Sequence, residues 1–144
     1  MRFLDTHAGT LCFQEVADSE LHLDENKYAI PSHRWGADNE EVSYDDIQHF
    51  MDISHKKGFA KLKGFCRLAS AAGCRYAWID TCCVNKVNST ELREAVNSMC
   101  RWYQESKICI VYLEDVPTKQ IMESEWFERG WTLQELIITI LLRL

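Results

Sequence analysis

Chemically versatile side chains gather at three places in this sequence, each directly after an apolar run. Ser32-His33-Arg34-Trp35-Gly36 follows Tyr28-Ala29-Ile30-Pro31, and Asp80-Thr81-Cys82-Cys83-Val84-Asn85-Lys86 follows Tyr76-Ala77-Trp78-Ile79. The third stretch, Glu114 to Gly130, follows Ile108 to Leu113. Open parallel sheets place ligands at the loops that leave the carboxyl ends of their strands. Ser32, His33, Arg34, Trp35 and Asp80 are therefore candidate substrate-binding residues. The segment Ser124 to Leu136 adds Trp126, Arg129, Trp131 and Glu135, and a carboxylate near a helix N-terminus is electrostatically favoured. Each of these residues also has a plainer reading. His33, Arg34 and Asp80 would cap or ion-pair neighbouring loops, Trp126 and Trp131 would pack at a helix entry, and Glu135 would be a solvated helix glutamate.

The seven cysteines, at 12, 66, 74, 82, 83, 100 and 109, form no CxxC pair. Most fall inside apolar patterns, where a reduced thiol packs as a small hydrophobe. Structural zinc asks for two close ligand pairs, and neither the vicinal Cys82-Cys83 nor His33 with His55 provides that spacing. No metal site is expected. A thiol nucleophile at Cys82-Cys83 lacks a nearby histidine, and a thiol in apolar surroundings is inert.

The elements that must position these groups are legible in the periodicity. Tyr28 to Ser32 reads as a strand, with Pro31 arguing that it ends there or lies at a sheet edge. From Gly58, the apolar residues Phe59, Leu62, Phe65, Cys66, Ala69 and Ala72 recur at three- and four-residue steps, which predicts a helix closed by Gly73. Tyr76 to Ile79 is short, aromatic and continuous enough to be a strand buried on both faces. Asn88 with Glu91 matches a helix N-cap and its reciprocal acidic partner, opening a helix to about Glu105. Ile108 to Leu113 is dense in β-branched residues and reads as the clearest strand, and a last helix is expected from Trp131 through Leu136. Alternating strands and helices predict an α/β fold with a three-layer, mostly parallel sheet. Residues 1–27 read as a small N-terminal hairpin or edge-strand extension on a core at 28–144, within one domain spanning 1–144.

The 144 residues are 47% hydrophobic and 26% charged, the composition of a globular chain. Sixteen Lys and Arg against 22 Asp and Glu leave a net charge of −6, with no basic face suited to nucleic acid. The N-terminus lacks the apolar core of a secretion signal, and no apolar run reaches the ~18 residues that span a bilayer. With the thiols reduced, a cytoplasmic location is expected, away from membranes.

Three blocks carry a family resemblance. YAIPSHRWG at 28–36, YAWIDTCCVNK at 76–86 and RGWTLQEL at 129–136 resemble the signature blocks of the fungal heterokaryon incompatibility (HET) domain, and the opening MRFLDT looks like the start of many such proteins. The resemblance implies an effector of the cell death that follows fusion of incompatible fungal cells. Pro31 stands where an aliphatic residue is usual, Val84-Asn85 where Ile-Asp is usual, and the common Ala-Pro after Leu136 is absent.

The HET domain is in turn similar to the TIR domain. Some TIR members cleave the bond between nicotinamide and ribose in NAD with a glutamate in a W-C-x-x-E-L-like segment. Trp131-Thr132-Leu133-Gln134-Glu135-Leu136 has that spacing, so the resemblance implies Glu135 as the catalytic carboxylate and NAD as substrate rather than cofactor. It also implies a TIR/flavodoxin-like sheet; by residue type alone, Trp131 or Trp126 would stack on the nicotinamide or adenine ring and Arg34 or Arg129 would lie near the pyrophosphate. Self-association is expected, because TIR-like domains assemble to complete their sites, with other HET or signalling domains as further partners. A TIR-like sheet has five strands and this sequence stops after the third and its helix, so a shortened domain is expected, with a hydrophobic edge left open unless the N-terminal segment, a neighbouring chain or an irregular layer covers it. The alternatives are a non-enzymatic adaptor acting through homotypic contacts, and an inert truncated paralogue.

Overall fold

A computed structural model describes residues 1–116 and 118–130. Its centre is a five-stranded mixed sheet in the order β2-β1-β4-β3-β5, built from β1 (Arg2–Asp5), β2 (Phe13–Glu15), β3 (Tyr28–His33), β4 (Tyr76–Ala77) and β5 (Ile108–Tyr112). Only the β3–β4 and β3–β5 pairings are parallel. The N-terminal hairpin β1–β2 pairs antiparallel to β4, so the expected extension is an integral part of the sheet. The α/β class is as expected, but the sheet is mixed rather than mostly parallel. Two of its five strands come from the start of the chain.

Helix α2 (Lys57–Ala71) covers one face and α3 (Ser89–Glu105) the other. The alternation along the strands explains the split, since successive side chains point to opposite faces. Pro31, His33 and Ile79 share a cavity with α2. Tyr28 and Trp78 meet α3 instead, where the Tyr28 hydroxyl donates to the Trp102 carbonyl at 2.6 Å and the Trp78 and Trp102 rings lie edge to face at 5.3 Å. Phe3 extends this aromatic layer, with ring centroids 4.9 Å from Tyr28 and 5.5 Å from Tyr76.

Pro31 sits inside β3 and neither ends it nor lies on an edge strand. The ladder explains why the fold accepts it. Trp78 N–H donates to the Ala29 carbonyl and Lys107 N–H to the Tyr28 carbonyl, both at 2.9 Å, so the odd-numbered residues of β3 face β4. The last residue of β4 paired with β3 is Ala77, opposite Ala29, and Pro31 lies beyond it. Its missing N–H therefore costs no ladder bond, and its carbonyl accepts from the Tyr103 hydroxyl of α3 at 2.8 Å.

The helix expected from Gly58 begins one residue earlier, and Gly73 follows its end at φ +72° as a left-handed C-terminal residue. The Lys107 ammonium donates to the Ala72 carbonyl at 2.7 Å and to that of Gly73 at 3.1 Å. Asn88 caps α3 through Thr90 and Glu91 N–H, but Glu91 does not return to the cap. Its carboxylate accepts from Asn85 N–H at 2.8 Å and from Arg2 at 2.6 Å, because a cation from β1 competes for it. A short helix α1 (Tyr44–Gln48) lacked an apolar period, yet carries a capping box between Ser43 and Asp46. All seven thiols are free. Among the described residues, no helix is long and apolar enough to cross a membrane. The helix expected at 131–136 lies outside the described residues.

Candidate functional site

The ends of β3 and β4 lie side by side, which brings two of the three polar clusters together. His33 closes β3, and its Nε2 lies 3.1 Å from Asp80 Oδ1 in the loop after β4. The Trp35 indole N–H donates to Asp80 Oδ2 at 3.0 Å, so one carboxylate holds the strand end and the loop beyond it. Burial opposes ionisation of Asp80. Hydrogen bonds from His33 and Trp35, with the charges of His33 and Lys86, outweigh that and hold its carboxyl below the usual value. An ionised carboxylate only accepts, so Nε2 of His33 carries the proton. His33 is 3% exposed, and its Nδ1 is buried without a hydrogen-bond partner.

Trp35 is half exposed, and the Lys86 ammonium stands 3.9 Å from its ring centroid. Lys86 was part of the second cluster but had no assigned role; its partner ring is 51 residues away in sequence, beyond the reach of local pattern. Arg34 points to the third cluster, where it pairs with Glu125. That carboxylate also receives Lys119 at 2.8 Å, while Asp115 accepts from the Ser124 hydroxyl at 2.6 Å and Glu125 N–H at 2.9 Å. Asp115 thereby fastens the 3-10 helix at Glu125–Glu128 to the turn after β5.

Two expectations change on inspection. Trp126 is a buried packing residue with no free face for a ligand ring. Its indole donates to the Ser32 hydroxyl at 2.9 Å and meets Phe127 edge to face. Ser32 is 1% exposed, so it reaches a substrate only through what surrounds it. Arg129 is partly exposed just after that 3-10 helix, its N–H donating to the Trp126 carbonyl at 3.4 Å. Glu135 and Trp131 lie outside the described residues.

The loop that carries Arg34 and Trp35 is held from below by a buried ion pair between Glu41 and Lys61. Glu41 also accepts from Gly36 N–H at 2.7 Å, and Lys61 reaches the Arg34 carbonyl at 3.5 Å. Gly58 makes this approach feasible, because a Cβ there would sit 2.8 Å from the Glu40 carbonyl oxygen. Sequence reasoning missed this support, as Glu41 and Lys61 each look like surface charges in their own segment. The cysteines behind the site are inert: burial pushes the Cys66 thiol up to about 12 and raises that of Cys82 as well.

The assembled rim holds an exposed aromatic face with a cation beside it, an arginine, and a histidine oriented by a carboxylate. Such a set can bind a planar ring and anionic groups on one edge of the sheet. Comparison with known proteins gives a family description, "Heterokaryon incompatibility protein (HET)", that matches residues 28–116. The chain is 47% identical to the vegetative incompatibility protein HET-E-1 of Podospora anserina over 76% of its own length, and spans 9% of that relative. No solved structure matches the chain.

Proposed function

This chain belongs to the heterokaryon incompatibility family, and we propose that it is an effector of cell death in fungal non-self recognition that acts by cleaving NAD. The observation that carries the reading is the joining of His33, Trp35 and Asp80 at the ends of parallel strands β3 and β4, with Arg34 and Lys86 on the same loops. Lys86 beside the half-exposed Trp35 ring suits a phosphate and a base, and Arg34 adds a second cation on leaving Glu125. Ser32, His33, Arg34, Trp35, Asp80, Arg129 and Trp131 are assigned to substrate binding, with Ser32 acting indirectly through Trp126.

Glu135 is assigned as the catalytic carboxylate, on the TIR-like spacing of residues 131–136. In the reaction the bond between ribose C1′ and the nicotinamide nitrogen breaks, and its electron pair leaves with the ring. The cationic nicotinamide departs neutral and positive charge develops on the sugar. Water then adds to C1′ and releases a proton. A carboxylate beside the ribose stabilises that transition state more than the ground state. The leaving group needs no proton, so one carboxylate suffices where most glycoside hydrolases use two.

Purified chain, clustered on a multivalent scaffold and incubated with NAD, is expected to release nicotinamide, followed by chromatography. Glu135→Ala is expected to slow release by at least about 100-fold, the scale of losing one key electrostatic group. An equal rate in parent and variant refutes the assignment.

A second reading, a homotypic adaptor, draws on the exposed apolar side chains Ile121, Met122 and Phe127, which suit a protein contact. Cell death that persists in Glu135→Ala and is lost in Met122→Glu favours it.

A further inference from the structure

Phe50 stands where the backbone favours glycine. It follows α1 at φ +51°, and the Met51 N–H donates across it to the Asp46 carbonyl at 2.9 Å, so it fills the left-handed position that closes a helix. A bulky side chain is strained there. Burial returns nothing for that strain, since Phe50 is 77% exposed and Met51 beside it 58%. The two side chains form an apolar knob, and strain of this kind gathers at sites that use it.

A groove of matching size lies elsewhere on the surface. Between α2 and the β3–β5 pair is a cavity of about 250 Å³. It is open because Ala60 and Gly64, one turn apart on one face of α2, bring almost no side chain toward the sheet. A Cβ built on Gly64 meets nothing within 4 Å. Phe65 and Ile110 supply carbon walls, and the exposed Leu68 and Tyr112 form the mouth. A cavity of about 150 Å³ already accepts benzene, so a phenylalanine ring fits with space for part of the next side chain.

Charge matches as well as size. Two cations line the groove, and Lys61 is ion-paired with Glu41, which leaves the exposed Arg67 as the one without an ion pair among the described residues. The knob has the opposite sign. Asp45 and Asp52 flank it in sequence, both exposed, while Asp46 is taken by Lys56. Tyr44 of α1 stacks on Phe13 of β2 at 5.4 Å, so the helix that carries the knob lies by one edge strand and the groove lies by β5 at the other edge.

We propose that the Phe50–Met51 knob of one copy docks in the α2–β5 groove of a second copy of this chain, with Asp45 and Asp52 toward Arg67. A knob and a groove at different places on the surface make a head-to-tail contact, which repeats from copy to copy and builds open chains unless its rotation closes a ring. The contact does not use Ile121, Met122 or Phe127. His33 belongs to the groove wall as well as to the rim, so the test leaves that residue intact and reads mass rather than catalysis.

Light scattering and sedimentation velocity on the 144-residue chain are expected to show particles that grow with concentration. Phe50→Gly suits the left-handed backbone and is expected to keep or raise the unfolding midpoint. The same change is expected to weaken association about 30-fold, the scale of losing an aromatic anchor. Gly64→Leu is expected to fill the groove, keep the helix and weaken association as much. Mixing the two variants decides the matter, because one retains only the groove and the other only the knob: a one-to-one dimer that grows no further is expected. Arg67→Glu sets like charges together and is expected to weaken association severalfold; association equal to the parent's overturns the placement of the acids. A parent chain that stays monomeric overturns the proposal, as does a mixture that stays monomeric or association that Phe50→Gly leaves unchanged. A lowered midpoint with unchanged association in Gly64→Leu assigns the groove to the chain's own apolar residues 136–142 and overturns it too. No outcome depends on NAD cleavage, so this contact and the reaction fail separately.

Discussion

Asp80 is the residue on which the rim turns, because its two oxygens hold His33 and Trp35 at once. Its carboxyl is depressed below the ordinary 3.8, so its contribution is fully present above that pH. The contribution falls away as pH drops through the lower folded-state value. Asp80→Asn is expected to destabilise the chain by about 1–3 kcal/mol near neutrality, the range for hydrogen bonds to a charged group. In urea titrations the gap between parent and variant should close as the solution is taken below pH 3.8; a gap constant down to strong acid contradicts this account. Both His33 and Asp80 were legible as candidates, since each ends an apolar run. Their pairing was not, because they are 47 residues apart and only the adjacency of β3 and β4 brings them together.

At the scale of elements, local signals served best where local bonds decide. Gly73 marks the end of α2 because its φ of +72° suits glycine and little else. Gly73→Ala is expected to cost roughly 1–2 kcal/mol from backbone strain. A Cβ there lies 3.0 Å from Lys107 Nζ, so the same change should also loosen the bonds from Lys107 to the carbonyls of Ala72 and Gly73 just past α2. A lower thermal midpoint, with faster amide exchange in the final turn, checks both effects. Signals misled where a distant group intervened. Arg2 takes Glu91 from its expected return to the Asn88 cap, and the early end of β4 makes Pro31 harmless within β3. In both cases the competing partner comes from another element, which no window of sequence contains.

For the whole molecule, the α/β class followed from alternating strand and helix patterns, while the strand order did not. Nothing local says that the first strand will settle antiparallel against β4. Phe3 binds the hairpin to the aromatic layer at 0% exposure, and Phe3→Ala is expected to cost about 3–5 kcal/mol. Urea unfolding should lose that amount with β1, β3 and β4 released in a single transition; a separate early step confined to β1 and β2 would show that the hairpin is an appendage. Leu4 lies opposite Ala77, and at ribosomal speeds that interval takes roughly 4–15 s to synthesise. During those seconds the first strand has emerged and its partner has not, so the nascent polypeptide carries an oily, unmated ribbon that a chaperone would have reason to shelter.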